Sequence, residues 1–189
     1  MDHGTPSAWV RRFVPLIRPG GRVLDLAAGA GRHTRLLLDM GFAVTAVDRD
    51  IARLQAFAGE RYEIRAVDLE TGTPDNALGP LGGFYDGIVV TNYLHRPLFA
   101  PIAAALAPGG VLIYETFAAG NERFGRPRNP DFLLRPGELL DAFAALSVVA
   151  FEQGEVTLPR PAFIQRIAAI AGPLGRLPEA AMEISSPPA

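Results

Sequence analysis

The sequence predicts a doubly wound α/β domain with a mostly parallel sheet. Three observations carry that prediction. Apolar strand-like runs alternate with helix-like stretches along most of the 189 residues, and glycines at Gly29 and Gly31 break the first strand-to-helix junction. Near the end, two strand-like runs follow each other with no helix between, which reads as an antiparallel pair at the sheet edge.

The elements follow in order. "SAWVRRFVPLI" is an N-terminal helix, because Trp9, Val10, Phe13, Leu16 and Ile17 share one face at helical spacing. "RVLDLA" is a short buried strand, and "RHTRLLLDM" a helix stopped by Gly41. "FAVTAVD" is a second strand, with a helix from about Asp50 to Ala58 behind it. "YEIRAVD" is a third strand, trailed by a Gly- and Pro-rich connection through Gly83. "YDGIVVTNYL" is the fourth, "PLFAPIAAALA" a helix opening on proline, and "GGVLIYETF" the fifth. After a helix from about Glu138 to Ala145 come "LSVVAFEQGEV" and "AFIQRIAAIAG", which complete a seven-stranded sheet. One domain over residues 1–171 and a flexible tail over 172–189 are expected.

Composition narrows the function. The formal charge of −2 argues against general nucleic-acid coating. No cysteine is present, which removes disulfides, thiolate metal sites and cysteine nucleophiles, and the three histidines are too scattered for a metal site. No apolar run approaches the roughly 18 residues of a membrane span, so the expected compartment is the cytoplasm.

In open α/β sheets, ligands sit outside the carboxyl ends of the strands, where Gly29 and Gly31 fall. Asp48 ends the second strand 17 residues beyond Gly31, near the spacing at which an acid accepts hydrogen bonds from ribose hydroxyls. A nucleoside is implied. Thr34 stands where the dinucleotide fingerprint G-x-G-x-x-G needs its third glycine, which disfavours an NAD(P)-dependent oxidoreductase. Asp25, just before the turn, either favours a ligand with a cationic amine or caps a backbone group inside the fold.

"VLDLAAGAGRHT" followed by "AVDRD", "AVDLE" and "YDGIVVTNYLH" resembles the ordered motifs of the class I S-adenosylmethionine-dependent methyltransferases, whose fold is Rossmann-like. "NYLHRPLF" and "YETFAAGNERFGRPRNPDFLL" further resemble a small bacterial group near the tellurite-resistance type. The resemblance implies S-adenosyl-L-methionine as cofactor. It places Ala27, Gly29 and Gly31 at the methionine moiety, Asp25 near its amino group, and Asp48 with Arg49 at the ribose. Asp68 and Leu69 then meet the adenine, while Thr91 and Asn92 end the fourth strand against the cofactor. Ala28 stands where many members carry cysteine or another small residue.

Around the transfer site, His95 leaves the fourth strand on the expected face and titrates in the range of a general base; a histidine bonding a loop carbonyl is the other reading. Tyr93 is a pocket wall or core packing. Tyr114 and Glu115 are expected to leave the fifth strand toward the same face, with Glu115 holding substrate, anchoring Arg96 or, as is commoner for such a glutamate, forming a structural ion pair. The segment from Ala118 to Gly137 is long and carries Asn121, Arg123, Phe124, Arg126, Arg128, Asn129, Phe132 and Arg135. Guanidinium groups bind carboxylate or phosphate bidentately, so the segment suggests a lid over a small anionic substrate. His33, in the first turn of a helix, is expected as a solvated or capping residue. An RNA or tRNA methyltransferase is the alternative that the arginines permit; the acidic balance and a "TNYL" that departs from Asn-Pro-Pro-aromatic weigh against it. A binding-only protein that keeps the pocket is another.

Overall fold

A computed structural model describes residues 4–57, 59–71 and 83–175. The connection expected after the third strand lies mostly outside the described residues, as does the expected tail from 176 onward.

Seven strands form one sheet in the order β3-β2-β1-β4-β5-β7-β6. Their ranges are β1 Arg22–Leu26, β2 Ala43–Asp48, β3 Tyr62–Ala66, β4 Tyr85–Thr91, β5 Leu106–Phe117, β6 Ser147–Val156 and β7 Ala162–Ile170. β1 to β5 pair in parallel, and β7 runs antiparallel to both β5 and β6. Among the described residues the α-helices are α1 Ala8–Phe13, α2 Arg32–Asp39, α3 Phe99–Ala104 and α4 Glu138–Ala142.

Successive side chains of a strand point to opposite faces, and the central strands are apolar on both. Leu24, Leu26, Ile88, Val90, Leu112 and Tyr114 join one core with Leu98, Ile102, Leu139 and Phe143. Val23, Val89, Val111 and Ile113 join a second core with Trp9, Phe13 and Leu37. Trp9 ties α1 to the antiparallel edge, its Nε1 donating to the Ile167 carbonyl at 3.2 Å. The Arg166 guanidinium lies 4.6 Å from the centre of the Trp9 ring.

Helices differ from expectation: α3 starts at Phe99 behind a 3-10 turn over Arg96–Leu98, α4 ends at Ala142, and two others change more. The N-terminal helix ends at Phe13 and continues as a 3-10 turn over Val14–Leu16, since Pro15 has no amide hydrogen to donate. Between β2 and β3, among the described residues, a 3-10 turn at Leu54–Ala56 stands where the helix was expected. Aspartates divert the backbone there: Asp48 accepts from the Asp50 amide at 3.0 Å and Asp50 from the Ala52 amide at 3.1 Å.

Candidate active site

The carboxyl ends of β1 to β4 enclose a cavity of about 340 Å³ lined by Ala27, Asp48, Arg49, Val67, Asp68, Leu69, Glu70, Asn92 and Tyr93. Two of these hold strained backbone: Ala27 at φ 55° and Asn92 at φ 54° lie in the left-handed region without being glycine. Such conformations cost about 1–3 kcal/mol each and persist where the surroundings impose them, often at binding sites. They face the same cavity from β1 and from β4.

Asp48 is oriented from two sides. Its Oδ2 accepts from the Gly29 amide at 2.8 Å and its Oδ1 from the Asp50 amide at 3.0 Å. Gly29, at φ 56°, has open space where a Cβ would stand. Gly31 is a different case. At φ 82°, a Cβ there would meet the Phe57 ring at 2.4 Å, so the absence of a side chain makes room for an aromatic ring of the protein. Asp68 shapes the turn after β3, accepting from the Glu70 amide at 3.0 Å.

Asp25 sits elsewhere. With Val23 it faces the α2 side of the sheet, is 2 % exposed, and accepts from Thr34 Oγ1 at 2.5 Å. Burial raises its pKa to about 6, with the Thr34 hydroxyl and amide opposing the rise. Of its two readings, the internal cap holds, and the residue that displaces the third glycine is its partner.

Thr91 is set back from the cavity. Its hydroxyl lies 3.3 Å from His33 Nδ1, and His33 Nε2 accepts from the Ser7 amide at 3.1 Å. His33 is buried, not solvated. Burial, with Arg32 nearby, holds its pKa down to about 3, so the ring is neutral.

Tyr93 links two spaces. Besides the first cavity it lines a second, of about 250 Å³, shared with Glu70, Asn92, Leu94, Thr116, Phe117, Pro127 and Phe132. Its Oη is buried with no hydrogen-bond partner among the described residues. Burial, then Glu70, Asp68 and Asp48, push the phenol above its usual range and keep it protonated. An orphaned buried hydroxyl costs about 1–3 kcal/mol unless something binds it.

The substrate-side expectations need correction. Tyr114 is buried; its hydroxyl donates to the Tyr93 carbonyl at 2.9 Å and its ring packs on Phe99 and Phe143. Glu115, one residue on, faces the opposite side of the sheet because strand side chains alternate. There it accepts from Ser7 Oγ at 2.8 Å and pairs with Arg166 at 3.2 Å. Arg96 is anchored by Glu138 instead, at 2.6 Å, and donates to the Asp131 and Leu133 carbonyls at 2.7 and 2.8 Å. Asn121 is a buried strut, donating to the Pro127 carbonyl and accepting from the Phe163 amide, each at 3.1 Å. Arg123 pairs with Glu155 at 2.6 Å and covers Phe124. Arg96, Tyr114, Glu115, Asn121, Arg123 and Phe124 line none of these cavities, and neither does His95, which is half-buried before the Arg96–Leu98 turn. From the segment expected over the substrate, Arg126, Arg128, Asn129 and Phe132 reach a third cavity, of about 490 Å³.

Thr116, Phe117 and Glu70 escaped sequence reasoning. For Thr116 a signal existed, since it follows Tyr114 by two on the same strand face; for Glu70, in a turn after β3, none did.

The model of the family described as a methyltransferase domain matches residues 2–172. The chain belongs to that family. A protein-L-isoaspartate O-methyltransferase of Chlorobaculum tepidum is 31% identical over 106 residues, which is 56% of this chain and 49% of the relative. The methyltransferase thus spans about half the length of that relative. TehB from Haemophilus influenzae shares its fold with a TM-score of 0.71 at 17% identity, over 87% of this chain and 62% of that one. A Burkholderia thailandensis 1,6-didemethyltoxoflavin-N1-methyltransferase, solved with its substrate and S-adenosylhomocysteine, aligns at a TM-score of 0.62 and 24% identity, over 86% and 76% of the two chains. The fold is shared with these methyltransferases, and the family is that of the methyltransferase domain. Among the described residues no group of His, Asp and Glu could hold a metal ion, and no helix is long and apolar enough to cross a membrane.

Proposed function

We propose that this methyltransferase moves a methyl group from S-adenosylmethionine to a small, anionic molecule. The observation that carries the reading is the free capacity of Asp48. A carboxylate has about four acceptor positions; the Gly29 and Asp50 amides occupy one on each oxygen. One position per oxygen is left, which suits the paired hydroxyls of a ribose. Ala27 and Gly29 leave backbone accessible for the methionine part, and Asp68 with Leu69 supply an acid and an apolar surface for the base. Arg49 lines the same end, and Asn92 closes it from β4.

When bound, S-adenosylmethionine supplies an electrophilic methyl on a cationic sulfur, displaced in line by an acceptor lone pair as the carbon–sulfur bond breaks and its electrons stay on sulfur. The carboxylates of Asp48, Asp68 and Glu70 favour that positive charge. Tyr93 stands between the cofactor cavity and the next, so its protonated hydroxyl is the group placed to orient an acceptor. His95 is the weaker candidate for a base, because it lines neither space.

Calorimetry tests the reading. S-adenosylhomocysteine is expected to bind and NAD not to, and Asp48→Ala to weaken S-adenosylhomocysteine about a hundredfold, or about 2.7 kcal/mol. Unchanged affinity in that variant would end the assignment of Asp48.

A further inference from the structure

We propose that the third cavity is the anchoring site for a flat, apolar acceptor bearing an oxyanion, gripped by Arg126, Arg128 and Arg160. Calling the ligand an acceptor rests on the methyl-transfer reading; the anion site itself does not.

The lining is Phe117, Arg126, Pro127, Arg128, Asn129, Phe132 and Arg160, three cations and no anion. Elsewhere in the same part of the molecule arginines are neutralised: Arg96 and Arg135 by Glu138, Arg123 by Glu155. Among the described residues, Arg126, Arg128 and Arg160 form no ion pair. Three like charges around one space repel each other, and an anion bound between them removes that repulsion. Guanidinium forks match carboxylate and phosphate geometry. Two distant stretches of chain bring them together, since Arg126 and Arg128 follow β5 whereas Arg160 lies between β6 and β7.

The remaining lining fixes the rest of the ligand. Arg160 lies 5.8 Å from the centre of the Phe117 ring, and Phe132, 49 % exposed, offers a second aromatic surface. Phe117, Pro127 and Phe132 also line the second cavity, which shares Glu70, Asn92 and Tyr93 with the first. The three spaces therefore form one path. A ligand whose anion rests among the arginines lies along the two aromatics with its other end at Tyr93.

The test uses 1-naphthoate, 1-naphthamide, inorganic phosphate and a short single-stranded RNA, titrated into the full chain with and without S-adenosylhomocysteine. Arginine Nε–H resonances and calorimetry are the readouts. Naphthoate is expected to shift the signals of Arg126, Arg128 and Arg160 and to bind about tenfold or more tightly than naphthamide. Arg126→Ala/Arg128→Ala is expected to abolish that preference while leaving S-adenosylhomocysteine affinity within about twofold. Equal binding of naphthoate and naphthamide, or a double variant that keeps the preference, overturns the anion clamp. Phosphate binding as tightly as naphthoate overturns the flat body, and RNA binding in place of the small anions overturns the small-molecule assignment. Should S-adenosylhomocysteine fail to bind while naphthoate still does, the methyl-transfer reading falls and the anion site stands.

Discussion

The inner end of the path, around Asp48, and its outer end, around Arg126, are built by different means and carry opposite charge. Strand ends supply the inner end: residues 27, 48, 67 and 92 are placed by the register of β1, β2, β3 and β4, and three carboxylates against Arg49 make it acidic. The outer end is a loop held by side chains: Arg96 bonded to two loop carbonyls, and Asn121 bridging Pro127 to β7. The stretch from Ala118 to Leu134 is closed by a parallel bridge between those two residues. The contrast teaches that one groove can present opposite charge at its two ends, so that the proposed cationic donor and anionic acceptor would be told apart by position before either binds.

The largest effect that sharpens this contrast is expected at the inner scaffold. Gly31→Ala puts a Cβ 2.4 Å from the Phe57 ring on backbone at φ 82°, so a loss of about 3 kcal/mol in urea unfolding is expected. The outer clamp has no such neighbour, and Arg126→Ala in the same measurement is expected to lie within about 0.5 kcal/mol of the parent protein. A Gly31→Ala protein as stable as its parent would show that this turn is not set by packing.

Acid is expected to act next. His33 has a folded pKa of about 3 against 6.5 when exposed, so the unfolded chain binds more protons between those values and stability falls as pH drops through that window. Asp25 opposes this: raised from 3.8 to about 6, it costs stability above about pH 6, and that cost fades toward pH 3.8. His33→Gln, each protein referred to its own value at pH 7, is expected to retain about 2 kcal/mol more at pH 4.5. Identical acid profiles would count against a buried neutral His33.

Tyr93→Phe gives a smaller expected change in stability than Gly31→Ala or His33→Gln, and the clearest split. Removing an unpartnered buried hydroxyl is expected to stabilise the fold by about 1 kcal/mol, seen as a higher Tm, while turnover on an identified acceptor drops about tenfold. A variant that loses stability as well would mean that Tyr93 Oη is satisfied in the folded protein.

The division between the two ends is also the division in what the sequence revealed. Spacing from Gly31 singles out Asp48, and the family resemblance singles out Asp68 and Asn92; the structure brings all three to one cavity, because register and topology leave little freedom at strand ends. Strand periodicity contradicts the expectation for Glu115: two adjacent strand residues cannot share a face, so Glu115 turns from Tyr114 toward Arg166. The fate of Arg96 was illegible, since four arginines follow it before Gly137 and only the folded loop selects Glu138 as its partner. Arg160 was missed for the same reason: it reaches the cavity through the antiparallel turn, with no local pattern to mark it.

The contacts of His33 have one more consequence. Because the Ser7 amide donates to Nε2, that nitrogen carries no hydrogen in the neutral ring, and the tautomer with the proton on Nδ1 is selected. Thr91 Oγ1 is then the acceptor of the second bond, and its own hydrogen is released to turn elsewhere. A ligand reaching the last residue of β4 meets a hydroxyl able to give a proton to a hydrogen bond, an orientation chosen by the residue that precedes α1.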